Sequence, residues 1–327
     1  MAFLSAGGGP DRNQIVAMQG GEDSMRSTLV LALFGIASLA LGGQDASDRP
    51  KITGIDHVAF YTTAPEGVAR LYHDVLGLSG ANSVEPGEGL QYKVGKQWVG
   101  YSVAPDPQAL DRMDHVAFAT GDVAALKRYL AKKGVTAPEA IQRWSDESRS
   151  FRVKDPEGHV IEFVERAKAG PQEKPDAEAV SRRLIHTGFI VRDRGIEDAF
   201  YKDILGFHVY WYGGMQPDRT DWCAMQVPDG TDWLEYMLNA PAQPERRQMG
   251  VMNHISLGVE NMQQTAAKLE SHGWQPHGAE HQQMGKDGKW QLNLYDPDLS
   301  RVELMEFRPV EKPCCSDFQG PHPGPDR

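Results

Sequence analysis

The chain has 327 residues, enough for two ordinary domains, and its 40% apolar and 24% charged residues are typical of a soluble globular protein. Its 34 basic and 45 acidic residues give a net charge of −11, which argues against binding to nucleic acid or to anionic membrane surfaces. The three cysteines form neither a disulfide framework nor a CxxC zinc pattern. Two of them, Cys314 and Cys315, are adjacent, and such a pair is expected to be poorly placed for bonding to each other.

The N-terminal region has the pattern of an export signal. A basic residue precedes an apolar run at 29–41, two glycines follow it, and the run is shorter than the ~20 residues of a membrane span. We interpret residues 25–43 as a signal peptide and residues 1–24 as a disordered extension or a gene-start artefact. The mature protein is then expected to begin near Gln44, in the periplasm or outside the cell, with no stable membrane association. The alternative interpretation of the run is a buried helix of the fold.

The main feature of the sequence is a fourfold internal repeat. The run DHVAF at 56–60 recurs letter for letter at 114–118, and looser copies contain His186 and His254. A glycine follows each of the four histidines by 19 or 20 residues. In copies two and four, an Asp-Pro pair precedes a glutamate at the same spacing. Chance does not produce this many matched offsets.

Each copy is predicted to fold as one strand, one helix and three further strands. The first strands alternate apolar residues with polar or small ones, which is the period of a strand. Asp122 and Gly134 bracket the helix of the second copy as N-cap and C′ residue, and Asn261 and Gly273 bracket that of the fourth. The predicted fold class is therefore α+β, with four βαβββ units in two tandem domains.

The domain ranges follow from these copies. We predict the first pair of units at 51–167 and the second at 182–310. A linker at 168–181 is rich in charge, Pro and Gly and lacks periodicity. A Pro-rich tail at 311–327 is predicted to be irregular.

The repeated histidines and the glutamates of the late strands point to metal binding. Alternation places the histidines beside small neighbours on one face, while apolar residues face the helix. An ionised carboxylate between apolar neighbours is costly to bury unless it is paired or bound to a metal. Neutral imidazole plus carboxylate is a ligand set for Zn²⁺, Ni²⁺, Mn²⁺ or Fe²⁺. The candidate ligands are His57, His115, Glu162, His186, Glu235, His254 and Glu303.

With these features the chain resembles the vicinal oxygen chelate superfamily, over about residues 51–308. That superfamily includes glyoxalase I, methylmalonyl-CoA epimerase, the extradiol ring-cleaving dioxygenases, and the bleomycin and fosfomycin resistance proteins. The resemblance implies cup-shaped sheets made of two units each. It also implies a metal ion held by first-strand and fourth-strand residues of both units. The segment 186–207 is particularly similar to the opening of glyoxalase I.

For the second half, the resemblance implies His186, Glu235, His254 and Glu303 as the ligands of one divalent ion (Ni, Zn, Co, Mn or Fe). This set is similar to that of bacterial glyoxalase I. Glu235 or Glu303 would then be the catalytic base.

For the first half, the resemblance implies only three candidates, His57, His115 and Glu162, because Gly100 stands where Glu235 stands. This site is either degenerate or an open 2-His-1-carboxylate site. The units pair either one with two and three with four, or one with four and two with three. Each pairing gives one complete and one incomplete site.

The leading functional hypothesis is a metal-dependent lyase or isomerase that acts on a small molecule with adjacent oxygens. Proton transfer, as in glyoxalases or epimerases, would pass through an enediolate stabilised by the ion. An Fe(II) extradiol dioxygenase using His186, His254 and Glu303 is the second hypothesis. Two residues count against it. One is Glu235, and the other is Asn293, which stands where those dioxygenases carry a Tyr. The third hypothesis is a non-catalytic protein that binds a small toxic compound.

Overall fold

Two eight-stranded sheets, one from each half of the chain, make up the fold. The computed structural model describes residues 49–167, 176–278 and 280–325. In both sheets the order is the same, β2-β3-β4-β1-β5-β8-β7-β6 in the first and β10-β11-β12-β9-β13-β16-β15-β14 in the second. Strand, helix and three strands recur four times in chain order, so the predicted βαβββ units and fold class are confirmed.

The strands of the first sheet are β1 (Ile52–Thr62), β2 (Gly80–Asn82), β3 (Leu90–Val94), β4 (Gln97–Val103), β5 (Met113–Thr120), β6 (Gln142–Arg143), β7 (Arg149–Lys154) and β8 (Val160–Glu165). Those of the second sheet are β9 (Leu184–Ile190), β10 (His208–Gly213), β11 (Trp222–Gln226), β12 (Trp233–Met237), β13 (His254–Val259), β14 (Gln283–Met284), β15 (Trp290–Tyr295) and β16 (Arg301–Glu306). Units one and two share one sheet and units three and four share the other, which decides between the two predicted pairings.

The helices connect the first and second strands of their units. They are α1 (Pro65–Ala69), α2 (Val123–Lys132), α3 (Arg194–Asp198) and α5 (Met262–Ser271), with an additional α4 (Arg246–Met252) before the fourth unit. In units one and three the helix continues as a π-helical turn, over Arg70–Val75 and Ala199–Ile204. The additional helix and the two π turns have no counterpart in the sequence-based prediction.

Local sequence explains where the regular helices begin and end. The Asp122 side chain accepts a hydrogen bond from the Ala125 N–H and caps α2, and Asn261 caps α5 in the same way. Gly134 and Gly273 have φ of 82° and 88°, a left-handed conformation that glycine adopts without steric cost. The predicted caps of both helices are therefore confirmed.

The two halves are joined by the aspartates of the repeated Asp-Pro pairs. Asp155 of the first half accepts a hydrogen bond from the Tyr201 hydroxyl of the second at 3.0 Å. Asp296 of the second half accepts one from the Tyr101 hydroxyl of the first, also at 3.0 Å. Both carboxyl groups are buried, so the buried aspartate of each half obtains a hydrogen-bond donor from the other half.

Several predictions concern residues at the ends and the middle of the chain. The predicted signal peptide and most of the predicted linker lie outside the described residues, so export and the domain boundaries stay predictions. Within the described ranges no helix is long and apolar enough to cross a membrane. The tail has neither helix nor strand at 311–325, as predicted, but Phe318 packs on Tyr210.

The prediction for the adjacent cysteines was wrong. Cys314 and Cys315 form a disulfide bond with each other. Cys315 has a φ of 73°, in the left-handed region that residues other than glycine seldom adopt.

Candidate metal centres

Four adjacent strands of the second sheet each supply one of the predicted ligands. Glu235 lies on β12, His186 on β9, His254 on β13 and Glu303 on β16. The register of these strands brings the four side chains to one place. We call this set the second-half site.

The donor atoms of the second-half site converge. His186 Nε2 lies 3.1 Å from His254 Nε2 and 3.2 Å from Glu303 Oε2. Glu235 Oε2 is 3.5 Å from His254 Nε2. Metal–ligand distances of about 2.1 Å place neighbouring ligands of an octahedral ion about 3 Å apart. The donor atoms of His186, Glu235 and His254 lie within 4.8 Å of one another and fit a shared cation, with Glu303 beside His186.

The two imidazoles are neutral and present ring nitrogens to the site. His254 Nδ1 donates a hydrogen bond to the Met252 carbonyl oxygen at 2.8 Å, which leaves Nε2 as an electron-pair donor. Burial lowers the pKa of His254 well below its usual value, with the Arg301 charge adding to the effect. Burial also lowers the pKa of His186. Neutral imidazole is the form that binds a metal ion.

The two carboxylates differ from each other. Burial and the neighbouring Glu303 charge raise the pKa of Glu235 to about 8. Burial acts in the same direction on Glu303, but the Arg301 charge and the hydrogen bond with His186 outweigh it and hold the pKa of Glu303 at about 2. Two carboxylates at one buried place cannot both be ionised without a nearby cation, and the more weakly compensated one takes the proton.

A cavity of about 300 Å³ opens on the carboxylate side of the second-half site. Glu235 and Glu303 form part of its wall. Apolar and aromatic residues form another part, namely Tyr210, Trp211, Met215, Trp222, Trp233, Met305 and Phe318. Charged and amide side chains complete the wall, namely Gln283, Lys286, Asp287, Gln291 and Arg301. A concave site that combines aromatic walls with polar groups is typical of small-molecule binding.

Gly188 allows the close approach of two of these ligands. It lies opposite His254 in one strand pair and opposite Glu235 in the other. A Cβ atom there would lie 2.4 Å from His254 Cε1, so any other residue would displace the imidazole.

The first half brings its three predicted candidates together in the same way. His57 on β1 and His115 on β5 approach to 2.9 Å between their Nε2 atoms. Glu162 Oε2 on β8 lies 3.1 Å from His115 Nε2. Gly100 lies opposite Ala59, as Glu235 lies opposite Gly188, so the strand position of the fourth ligand indeed carries no carboxylate.

Glu85, which sequence reasoning missed, supplies a fourth donor. It belongs to the loop between β2 and β3, and its Oε2 lies 3.2 Å from His57 Nε2. The four donor atoms of His57, Glu85, His115 and Glu162 lie within 4.8 Å of one another. We call this set the first-half site; three of its four residues are among the ligands predicted from the sequence, and Glu85 is not.

The histidines of the first-half site have acidic partners on their other ring nitrogens. His57 Nδ1 lies 2.8 Å from an Asp56 oxygen, and His115 Nδ1 lies 2.9 Å from an Asp114 oxygen. Burial opposes protonation of His115, but its bonds with Asp114 and Glu162 raise its pKa to about 9. Carboxylates in this position orient a ligating imidazole and increase its basicity.

Arg152 closes the first-half site. Its guanidinium donates to Glu85 Oε1 and lies 3.4 Å from Glu162 Oε2. It stands opposite Glu162 in the sheet, where the second half has Asn293 opposite Glu303. Both residues stand three positions before the Asp of an Asp-Pro pair, so comparing the copies at this offset would have identified Arg152.

The comparisons with known proteins agree with this fold. One model of the glyoxalase/bleomycin resistance protein/dioxygenase superfamily matches residues 54–163, and a second with the same description matches residues 185–292. No curated protein sequence matches the chain.

Solved structures of two enzyme types are similar in fold. The Mn(II)-bound glyoxalase from Novosphingobium aromaticivorans is 17% identical with a TM-score of 0.60, over 83% of this chain and 86% of that chain. Homoprotocatechuate 2,3-dioxygenase from Arthrobacter globiformis is 17% identical with a TM-score of 0.59, over 79% and 80%. The 2,3-dioxygenase LapB from Pseudomonas sp. KL28 is 16% identical with a TM-score of 0.56, over 86% and 96%.

These identities support a likeness of fold alone, while the two family matches together cover more than half of the chain. The chain therefore belongs to the glyoxalase/bleomycin resistance protein/dioxygenase superfamily, with two tandem domains of that type.

Proposed function

We propose that the second-half site is the active site of a divalent-metal-dependent enzyme that moves a proton on a small substrate with adjacent oxygens. His186, Glu235, His254 and Glu303 would hold the ion. The observation that carries the proposal is the position of Glu235, whose carboxylate lies within 4.8 Å of the ligand nitrogens of His186 and His254 and lines the cavity together with Glu303. The reaction class is that of a lyase or isomerase.

Glu235 is placed to act as the base. Its side chain is 13% exposed, against 3% for Glu303 and none for the two histidines, so it is the ligand candidate that reaches furthest into the cavity. Glu303 is held by the Arg301 guanidinium at 3.5 Å, which favours a fixed role. A base must lie within hydrogen-bonding reach of the proton that it takes, and the cavity wall satisfies this condition for Glu235.

Proton transfer needs no external oxidant. Glu235 would be ionised once a divalent ion compensates its charge and could then take the proton. As the C–H bond breaks, the electron pair stays on the substrate carbon and its neighbouring oxygen, and the proton returns from Glu235 to the adjacent carbon. A divalent ion, when bound, would polarise the two substrate oxygens and stabilise the charge that develops on proton loss.

The predicted export bears on the substrate. Glutathione and CoA thioesters are cytoplasmic compounds, so an exported enzyme would act on a different small hydroxycarbonyl or dicarbonyl compound. The export itself belongs to the proposal and is supported by the basic residue and the apolar run at 29–41.

An Fe(II) ring-cleaving dioxygenase is the second candidate. The shortest contacts of the second-half site, 3.1 and 3.2 Å, join His186, His254 and Glu303. Two histidines and one carboxylate form the usual ligand set of non-haem Fe(II) oxygenases. In that enzyme Glu235 would not be a ligand.

Three measurements on the purified chain separate the two candidates. The first is the metal content of protein purified without added metal. The second is deuterium incorporation into small hydroxycarbonyl compounds in D₂O, followed by NMR. The third is oxygen consumption with catechols. A proton-transfer enzyme should incorporate deuterium with Ni, Zn, Co or Mn bound. Bound iron together with oxygen consumption would contradict that proposal and support the dioxygenase.

Glu235→Gln tests the base directly. The amide has the same size but cannot accept a proton, so we expect turnover to fall by about 10²–10⁴-fold. Glu260→Gln, an exposed glutamate of the same half, is the matched control and should keep full activity. Full deuterium exchange in Glu235→Gln would exclude this residue as the base.

A further inference from the structure

We propose that the first half holds a second, closed metal site, in which Glu85 provides the carboxylate that Gly100 lacks. The ligands would be His57, Glu85, His115 and Glu162. This inference does not depend on the proposed reaction, because it concerns a different half of the protein.

The geometry of the donor atoms supports it. Three contacts between neighbouring donors measure 2.9 Å (His57–His115), 3.1 Å (His115–Glu162) and 3.2 Å (His57–Glu85). Neighbouring ligands of a four-coordinate ion lie roughly 3.3 Å apart, and all four donor atoms lie within 4.8 Å of one another. All four donors come from separate places in the chain, three from the central strands and one from a loop, so the fold and not the local sequence brings them together.

The burial of the carboxylates indicates that a cation belongs between them. Glu85 is 2% exposed and Glu162 is fully buried. Glu85 Oε2 and Glu162 Oε2 face the ring nitrogens of His57 and His115, and Glu162 Oε1 is buried without a hydrogen-bond partner in the described residues. Two buried carboxylates aimed at the same ring nitrogens are costly unless a positive charge compensates them.

Arg152 supplies one positive charge and contacts two of the proposed ligand atoms, with Nη2 3.3 Å from His115 Nε2 and Nε 3.4 Å from Glu162 Oε2. Its Nη2 donates to Glu85 Oε1, whereas Glu85 Oε2 faces His57. The guanidinium also lies 3.6 Å from Asp114 and 3.3 Å from Glu88. Its charge is therefore divided between the ligand set and acidic groups outside that set.

The surroundings fit a structural ion. A site whose four positions are all filled by protein side chains leaves none for a substrate, and this closure distinguishes structural metal sites from catalytic ones. Asp56 and Asp114 behind the two histidines are the kind of partner that strengthens metal binding 10–100-fold. The rival possibility is that the Arg152 guanidinium is the resident cation and excludes a metal ion.

Zn²⁺ titration of the full chain, after removal of bound metal with a chelator, separates these alternatives. We expect the wild-type chain to bind two ions and His254→Ala to bind one, since only the first-half site then remains. Adding Glu85→Gln to His254→Ala should weaken the remaining ion at least a hundredfold. Glu88→Gln in the same background is the matched control, because Glu88 faces Arg152 from the same loop, and it should keep the ion.

Two outcomes would overturn the proposal. One is a His254→Ala chain that is folded, as shown by circular dichroism, and binds no Zn²⁺. The other is a His254→Ala chain that gains an ion only when Arg152→Ala is added, which would identify the guanidinium as the resident cation. Loss of deuterium exchange with two ions still bound would contradict the proposed reaction and leave this site intact.

Discussion

The two halves of the molecule share one topology and one placement of histidines, yet their sites differ in access. In the second half a cavity of about 300 Å³ reaches the carboxylates, and Asn293 occupies the strand position opposite Glu303. In the first half Arg152 occupies the equivalent position opposite Glu162 and covers the site. One side chain on an otherwise equivalent strand thus distinguishes an open site from a closed one.

The halves also differ in what stands behind the histidines. In the first half Asp56 and Asp114 contact the outer ring nitrogens. In the second half the corresponding contact of His254 is a backbone carbonyl, and the buried Nδ1 of His186 has no hydrogen-bond partner in the described part of the chain. A carboxylate partner favours tight, permanent ligation, whereas a neutral partner leaves the ion more electron-poor and a better Lewis acid.

The largest expected effect is that of removing one histidine from each half. His254→Ala should lose the second-half ion and lower turnover by about 10³-fold or more, because both the ligand set and the charge stabilisation are lost. His115→Ala, its counterpart, should lose only the first-half ion and change turnover by less than about tenfold. Metal analysis and deuterium exchange on both variants measure this. Equal loss of turnover in the two variants would contradict the division of roles.

Exchanging Arg152 and Asn293 tests whether this position controls access. Asn293→Arg should place a guanidinium against Glu303 and lower turnover on the order of a hundredfold, the scale of a substrate displaced by about 1 Å. Arg152→Asn should leave turnover unchanged, because the first-half site takes no part in it. Steady-state kinetics with circular dichroism as a folding control measures both. Unchanged activity of Asn293→Arg would show that access is controlled elsewhere.

The regular part of the molecule could be predicted from the sequence. The helix caps and the strand positions of His186, His254 and Glu303 follow from periods that local geometry imposes. Glu85 could not be placed in this way, because a loop has no period and the approach of Glu85 to His57 depends on how the whole sheet curls. The pairing of units likewise depends on strand contacts between distant segments, which no offset within one unit determines.

Gly188→Ala tests whether the second-half site depends on the missing Cβ atom at this backbone position. The new Cβ would lie 2.4 Å from His254 Cε1, and overpacking of this kind costs about 1–3 kcal/mol. We also expect weaker metal binding in the second half, since the imidazole must move. In the first half Ala59 already stands opposite His115, so Ala59→Gly is the matched control and should leave both ions bound. Chemical denaturation and Zn²⁺ titration measure the two effects.

The smallest expected effect concerns the joint between the halves and depends on pH. Burial raises the pKa of Asp296 to about 6, so the folded state favours the protonated carboxyl. Its contribution to stability is complete below about pH 4, the ordinary pKa of Asp, and is lost as the pH rises through 6.

Asp296→Asn should therefore increase the free energy of unfolding at pH 7.5 and have almost no effect at pH 4. The shift from 3.8 to about 6 sets an upper limit of about 3 kcal/mol. The amide can still accept the Ser300 N–H and can donate to the Tyr101 hydroxyl, which in turn donates to Tyr72. Urea denaturation at the two pH values measures the difference, and metal content should not change, because Asp296 is not a ligand. A loss of stability at both pH values would contradict this expectation. It would mean that the ionised Asp296 carboxylate stabilises the contact between the two halves by more than its burial costs.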